Sequence, residues 1–336
     1  MKNKIFNIVI PSLTLSSELT NCLLKFNNQK YKNFFVTIIL DYKNKKKIPK
    51  LNYKLNILVV GKKTMSFKRN YAVKKFKSDY IAFIDSDAYA HKNWLFNGSK
   101  ILKNKEKEII GGPNIPFPSQ TYSEMMCHYA KRSYFVTGHL NFRKYKAKSR
   151  YCDWLESCNF MISRNLFLKN GGMNEKIYLG EDKEFFERIT KKNSSIKVFF
   201  TPKLFTYHKE RPFFKFLAQR MVFGSDIWNI INFNNQLKSY QPLLPLVMLV
   251  SFILLIILIS TYDQFKINLL ISFVTIIQIL ILFNLLKYIK DFKKIFAVLI
   301  IVNLANISYA IGNILEFTGM KSLIKRKIYL KSRNNK

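Results

Sequence analysis

Tyr80-Ile81-Ala82-Phe83-Ile84-Asp85-Ser86-Asp87 is an apolar run of strand type that ends in two carboxylates one residue apart. Side chains at i and i+2 of a strand point the same way, so Asp85 and Asp87 are expected to face one cleft at the strand's tip. Two acidic side chains there are a natural seat for a divalent cation, and such a cation can hold a diphosphate. Working outward, Ile5 to Ile10 reads as a first strand followed by a Pro-Ser loop, and Leu19, Cys22, Leu23 and Phe26 recur at helical spacing. Phe34 to Leu40 is a second β-rich run, ending at Asp41, and Leu55 to Val60 a third, ending at Gly61. A helical stretch follows from about Phe67 to Phe76, and Trp94, Leu95, Gly98, Ile101 and Leu102 mark another helix after the acidic pair. Strands alternating with helices predict an α/β domain with a parallel sheet. Ligands bind such sheets beyond the carboxyl ends of the strands, where Asp41, Gly61, Asp85 and Asp87 all fall.

From Ile110 to Phe205 the pattern is less regular. It holds Gly111-Gly112-Pro113-Asn114, Glu156-Ser157-Cys158-Asn159 and Gly171-Gly172-Met173-Asn174-Glu175, then Gly180-Glu181-Asp182 opening a helix with Phe185, Phe186 and Ile189. From Pro212 the composition changes. Phe213, Leu217, Met221, Gly224, Trp228 and Ile231 share one helical face, with Lys215 and Arg220 off the stripe. This suits a helix in a membrane interface, with an ordinary core helix as the other reading. Three apolar runs follow: Leu243 to Ser260, Ile267 to Leu286 and Ile295 to Leu315. About 20 apolar residues span a bilayer core, so the first two are expected to cross; Asn303, Asn306, Ser308, Gly312 and Asn313 weaken the third. Lys287, Lys290, Lys293 and Lys294 mark the loop between the second and third runs as cytoplasmic, and with it the N-terminal domain of a multi-pass inner or plasma membrane protein. A full third crossing would put the basic tail Lys321 to Lys336 outside, against the same rule.

The net charge of +36, from 56 basic and 20 acidic residues, points to anionic partners such as phosphorylated substrates and anionic lipid headgroups. Nucleic acid is not expected, since no zinc-finger spacing or RNP-like aromatic motif occurs. Cys22, Cys127, Cys152 and Cys158 form no C-x-x-C pair and read as reduced thiols. The apolar stretch before Leu13 contains Asn7 and Pro11 and fits a buried strand better than a signal peptide.

The ordered words Ile8-Val9-Ile10-Pro11-Ser12, Lys68-Arg69-Asn70-Tyr71-Ala72, Phe83-Ile84-Asp85-Ser86-Asp87, Gly171-Gly172-Met173-Asn174-Glu175, and Gly180-Glu181-Asp182 with Arg188 carry a resemblance. Over about residues 5 to 210 the chain resembles family-2 inverting glycosyltransferases, which have a Rossmann-like, nucleotide-sugar-binding GT-A fold. Its apolar tail is like those of polysaccharide-assembling members, and it looks closest to the succinoglycan-type glucosyltransferases. The resemblance implies a GT-A catalytic domain over residues 1–211, an amphipathic interfacial segment over 212–240, a bundle of two or three transmembrane helices within 241–317, and a basic tail from 318. It implies a metal-dependent hexosyltransferase that moves a sugar from a nucleotide-sugar to a hydroxyl of a lipid-linked or growing cell-surface glycan. A polyprenyl-phosphate sugar transferase and a non-catalytic membrane scaffold are the alternatives.

The same resemblance implies roles for single residues. Pro11, Ser12 and Asp41 would contact the base and ribose, with Asp41 also readable as a turn residue. Arg69 and Asn70 would sit near the nucleotide-sugar, Arg69 pairing with phosphate. Asp85 would orient the sugar or ribose, and Asp87 would ligate Mg2+ or Mn2+ at the diphosphate. Asp182 would be the general base, with Glu181 beside it on the acceptor side. Cys158 and Asn159 would line the acceptor pocket or pack in the core, and His208 is read either as a metal ligand or as a hydrogen-bonded surface residue. The chain departs from the family at Ser12-Leu13-Thr14 and Asp41-Tyr42-Lys43, and it lacks the Q-x-x-R-W word of processive synthases.

Overall fold

The structure is a computed structural model that describes residues 4–44, 47–103, 108–177, 180–234, 243–259 and 264–318, with backbone only for 226–234, 255, 258 and 259. It divides into two compact units, residues 1–117 with 142–209, and residues 118–141 with 210–336.

The first unit begins as the sequence predicts. Strand β1 (Phe6–Ser12) is buried along its whole length, helix α1 (Ser17–Phe26) follows, then β2 (Phe34–Leu40) and β3 (Lys54–Val59). Ser16 starts α1 by accepting the Leu19 amide, and Leu19, Cys22, Leu23 and Phe26 form its buried stripe. Helix α2 (Met65–Lys75) precedes β4 (Tyr80–Ile84), the strand that leads into Asp85. A short β5 (Ala88–Ala90), α3 (Trp94–Leu102), β6 (Glu108–Gly111) and β7 (Asn114–Pro116) continue the chain.

After residues 118–141, which belong to the second unit and hold α4 (Tyr122–Arg132) and α5 (Tyr134–Thr137), the first unit resumes. It adds β8 (Arg150–Tyr151), β9 (Asn159–Ser163), α6 (Arg164–Lys169), α7 (Glu181–Lys192), β10 (Lys197–Phe200) and β11 (Thr206–His208).

The main sheet has the order β3-β2-β1-β4-β9-β6-β10-β8. Its first four strands are parallel, as expected. Strand β9 runs antiparallel to both β4 and β6, and β8 antiparallel to β10, so the sheet is mixed and the expectation of a parallel sheet is corrected there. All five residues of β9 are buried, so it shows no alternation from which face or direction is readable. A second sheet has the order β5-β11-β7, and its strand β5 follows β4 in the chain just after Asp85 and Asp87.

The second unit is helical. It contains α4, α5, α8 (Phe213–Asn234), α9 (Leu244–Ile259), α10 (Gln264–Leu286) and α11 (Phe292–Phe317). Met126, Ala130, Phe216, Leu285, Val298, Val302 and Ala305 form its core. Helices α8 and α11 cross with backbones in close approach, so that a Cβ on Gly224 would run into the Tyr309 carbonyl and one on Gly312 into the Met221 carbonyl.

Three of the polar interruptions of the apolar runs bond across elements. Gln278 and Asn303 exchange hydrogen bonds of 3.1 and 2.9 Å, and Asn284 accepts from the Ser133 hydroxyl at 2.9 Å. Helices α10 and α11 are long and apolar enough to cross a bilayer. The first apolar run forms the 16-residue α9, and the third, expected to be the weakest, forms the longest helix at 26 residues. On α8, Phe216 and Val222 are buried, and so is Arg220, which the stripe left outside. The side chains of Trp228 and Ile231, part of the basic loop after Asp41, and the tail Lys321 to Lys336 lie outside the described residues.

Candidate active site

Helix α2 carries three consecutive polar residues that are all buried, Lys68, Arg69 and Asn70. Successive side chains on a helix point about 100° apart, so each enters a different part of the site. The Lys68 ammonium lies 2.5 Å from Asp41 and donates to the Ser12 carbonyl at 2.7 Å. Asp41 is 1% exposed, so the carboxylate expected to read the nucleotide is committed to an ion pair that joins the ends of β1 and β2. Arg69 donates to Glu181 at 2.8 Å and to Asp85 Oδ1 at 3.0 Å, so its fork holds two carboxylates where phosphate was expected. Burial works to lower the Arg69 guanidinium, and Asp85, Glu181 and Asp182 outweigh it and hold the group above its ordinary value.

Asn70 clamps the loop that joins α6 to α7. Its amide donates to the Met173 carbonyl at 2.8 Å and to Glu175 at 2.9 Å, and its oxygen accepts the Met173 amide at 2.9 Å. Arg188 grips the same loop through the Asn170 and Gly172 carbonyls at 2.6 and 2.7 Å. The loop can come this close because Gly172 has φ +71 and no Cβ, which would lie 2.5 Å from Asn70 Oδ1. The grip fixes the approach to α7, where Gly180, with φ 78, precedes Glu181 and Asp182.

Asp182 is half-buried at the start of α7 and accepts the Ser157 amide at 3.0 Å and the Lys183 amide at 2.8 Å. Burial, with the Glu181 carboxylate beside it, pushes its carboxyl up to about 7 against the pull of those amides. A carboxylate poised near neutrality is suited to taking a proton.

His208 reaches the acidic pair through the second sheet. Strand β11 pairs antiparallel with β5, setting His208 opposite Ala88, and the Lys209 amide donates to the Asp87 carbonyl at 3.0 Å. His208 Nε2 lies 3.5 Å from Asp87 Oδ1 and 3.9 Å from Asp85 Oδ2. Its Nδ1 lies 2.8 Å from the Lys209 carbonyl, which can only accept, so Nδ1 carries the proton. With Nδ1 so anchored, Nε2 is the ring nitrogen that faces the carboxylates, the arrangement of a metal-ligating histidine with its second nitrogen fixed. Burial works to raise the Asp85 carboxyl, and His208 and Arg69 outweigh it and hold it below its ordinary value. Asp85, Asp87 and His208 thus fit a divalent cation.

The other expected residues divide. Pro11 and Ser12 close β1 beside Lys68, in the buried part of the loop. Cys158 is buried, and its Sγ lies with Asp85 and His208 donor atoms in a group all within 4.8 Å of one another. Asn159 is 1% exposed, accepts the Trp94 indole N–H at 2.9 Å and donates to the Pro113 and Leu204 carbonyls at 3.2 and 2.8 Å, so it is held in the core. Sequence reasoning missed the cluster around Glu156, which accepts from Lys144 at 2.6 Å and from Asn114 at 2.5 Å. Burial acts to raise Glu156, and Lys144 and Arg143 overcome it and pull the carboxyl down to about 2. Nothing around Lys144 in the sequence signals this partner 12 residues away.

The family model "Glycosyltransferase like family 2" matches residues 8–229, more than half of the chain. The chain belongs to this family.

Among solved structures it is similar to the mannosyltransferase PcManGT from Pyrobaculum calidifontis in complex with GDP-Man and Mn2+. The TM-score is 0.61 at 12% identity, covering 92% of this chain and 86% of that one. That likeness shows the GT-A fold. GalNAc-T7 with UDP, GalNAc and Mn2+ matches at TM-score 0.48 and 14% identity, over 62% of this chain and 44% of that one. S. aureus TarS with UDP-GlcNAc matches at 0.45 and 17%, over 61% and 58%. The chain spans less than two thirds of the length of the first solved structures it matches. No curated protein matches it.

Proposed function

We propose that this family-2 chain is a metal-dependent inverting glycosyltransferase that moves a sugar from a nucleotide-sugar donor to an acceptor hydroxyl. The observation that carries the reading is the meeting of donor-side and acceptor-side carboxylates on one guanidinium: Arg69 holds Asp85 at 3.0 Å and Glu181, next to Asp182, at 2.8 Å. In this reading Asp87 and His208, with Asp85, hold Mg2+ or Mn2+. A cation held there would supply positive charge against the negative charge that builds on the departing nucleoside diphosphate. Asp182 accepts the acceptor's hydroxyl proton while the acceptor oxygen bonds to the anomeric carbon and the bond to the diphosphate oxygen breaks. A base placed for this job favours a hydroxyl acceptor over a polyprenyl phosphate, which is already ionised.

The apolar helices α10 and α11 support a membrane-bound enzyme, and the basic surface supports anionic lipid around it. The acceptor in this reading is a lipid-linked or growing cell-surface glycan, and residues 1–211 are the catalytic domain. Calorimetry with UDP and GDP in the presence of Mn2+ tests the donor half. Binding is expected to require the metal and to be lost in Asp87→Ala with the fold retained. Unchanged affinity in that variant, or full turnover in excess EDTA, overturns the assignment.

A further inference from the structure

We propose that Cys158 gives the cation site of this chain a second mode, in which Asp85, Cys158 and His208 capture a soft divalent ion such as Zn2+ or Cd2+ and exclude the donor's metal. The inference rests on the cation site proposed above and adds a ligand that the acidic motif does not contain.

Three strands bring the donors together. Strand β9 pairs with β4 so that Asn159 stands opposite Ile84, and Asp85 and Cys158 are the residues next to that last pair. Strand β11 brings His208 in beside β5. The carboxylate oxygen, thiol sulfur and imidazole nitrogen lie within 4.8 Å of one another. Donors around a tetrahedral ion at bond lengths of about 2.0–2.3 Å stand roughly 3.5 Å apart, so a small contraction closes the set.

The atoms are oriented for it. Asp85 gives Oδ1 to Arg69 and turns Oδ2 toward His208 at 3.9 Å. His208 is anchored through Nδ1 on the Lys209 carbonyl and presents Nε2. Cys158 is buried, so the sulfur is held against the pair.

The chemistry separates two classes of ion. Mg2+ is a hard cation that takes oxygen ligands in near-octahedral geometry and keeps several waters, so it gains nothing from sulfur. Zn2+ and Cd2+ accept sulfur, nitrogen and oxygen together and are well served by three protein ligands with one open position. Binding replaces the S–H bond with a metal–sulfur bond, and the proton leaves to water, one per ion bound. An ion so held occupies Asp85 and His208, the groups a donor-bound metal needs, and so competes with it.

The test uses the full chain in detergent, stripped of metal and titrated with Cd2+ alone. The ultraviolet thiolate-to-cadmium charge-transfer band is followed, with released protons counted in weak buffer. Wild type is expected to show the band at one equivalent, and Cys152→Ser to keep it. Cys158→Ser and the smaller Cys158→Ala are each expected to lose it, with Cd2+ affinity falling by at least about tenfold, that is at least about 1.4 kcal/mol. Mn2+ affinity, read by magnetic resonance of the free ion, is expected to stay within about twofold in both variants. No band in wild type, or a band that persists without Cys158, overturns the inference. If wild type binds Mn2+ with a nucleoside diphosphate yet gives no band, only the soft-ion mode fails. If it binds neither, the proposed function fails with it.

Discussion

At the scale of single residues, Asp182 is the side chain on which chemistry and stability pull in opposite directions. A base must be unprotonated to act, and this carboxyl titrates near 7, so kcat is expected to fall about tenfold per pH unit below neutrality and to level off above it. Asp182→Asn is expected to lower kcat by about 10²- to 10⁴-fold while donor affinity stays near wild type; near-normal turnover returns the residue to a helix-capping role. The folded-state value lies well above that of a free aspartate, so the folded protein binds this proton more tightly than the unfolded chain. The stability it contributes is complete at acid pH and is lost as pH rises through about 7. The Tm of wild type is therefore expected to drop relative to Asp182→Asn between about pH 4 and pH 7 and to run parallel to it above, and a constant gap across that range refutes the shift. The position of this residue was legible in the sequence, because Gly180-Glu181-Asp182 before Phe185, Phe186 and Ile189 is a local helix-opening pattern, whereas its role as base is what the family resemblance implies. The commitments of Asp41 and Arg69 were not, since a one-dimensional reading cannot tell a carboxylate that faces a ligand from one that faces a lysine 27 residues away.

Among elements, the loop between α6 and α7 is held to α7, the helix that carries the proposed base, and its geometry depends on a residue with no side chain. Gly172→Ala forces an L side chain into φ +71 and onto Asn70 Oδ1. About 1–2 kcal/mol of backbone strain is expected, with more from the displaced clamp. The measurement is urea denaturation followed alongside kcat, and a variant of wild-type stability refutes the clamp. In the second unit, Gly312→Leu separates α8 from α11 and is expected to lower the thermal midpoint in detergent. The parallel half of the sheet was readable because β1, β2 and β4 are short apolar runs, each ending at a polar or glycine-rich loop. The directions of β9 in that sheet and of β11 in the second one were not, because each pairs antiparallel with a strand about 80 to 120 residues earlier. Of the polar residues that made the apolar runs look weak, Gln278 and Asn303 turn out to join α10 to α11, a role visible only once the two face each other.

On the scale of the whole molecule, charge and hydropathy make the strongest sequence-level statement and leave orientation to experiment. The loop between α10 and α11 carries Lys287 and Lys290, and Lys293 and Lys294 follow at the start of α11, so this side is expected to face the cytoplasm together with the catalytic unit. An impermeant thiol reagent applied from outside intact cells is expected to leave a cysteine introduced at Lys290 unlabelled, and labelling there reverses the topology. A cysteine introduced near Lys336 reports where the tail lies.

The pairing of β11 with β5 also orders events in time. The acidic pair is translated 121 residues before His208, the last position of the last strand of the first unit. A ribosome that has released Asp87 has not yet made the imidazole, so a nascent chain carries an incomplete cation seat until this strand arrives. In the proposed reading, a chain that stops before β11 keeps Asp85 and Asp87 but lacks the imidazole that completes the cation seat, so it is expected to hold metal and donor more weakly than the full chain.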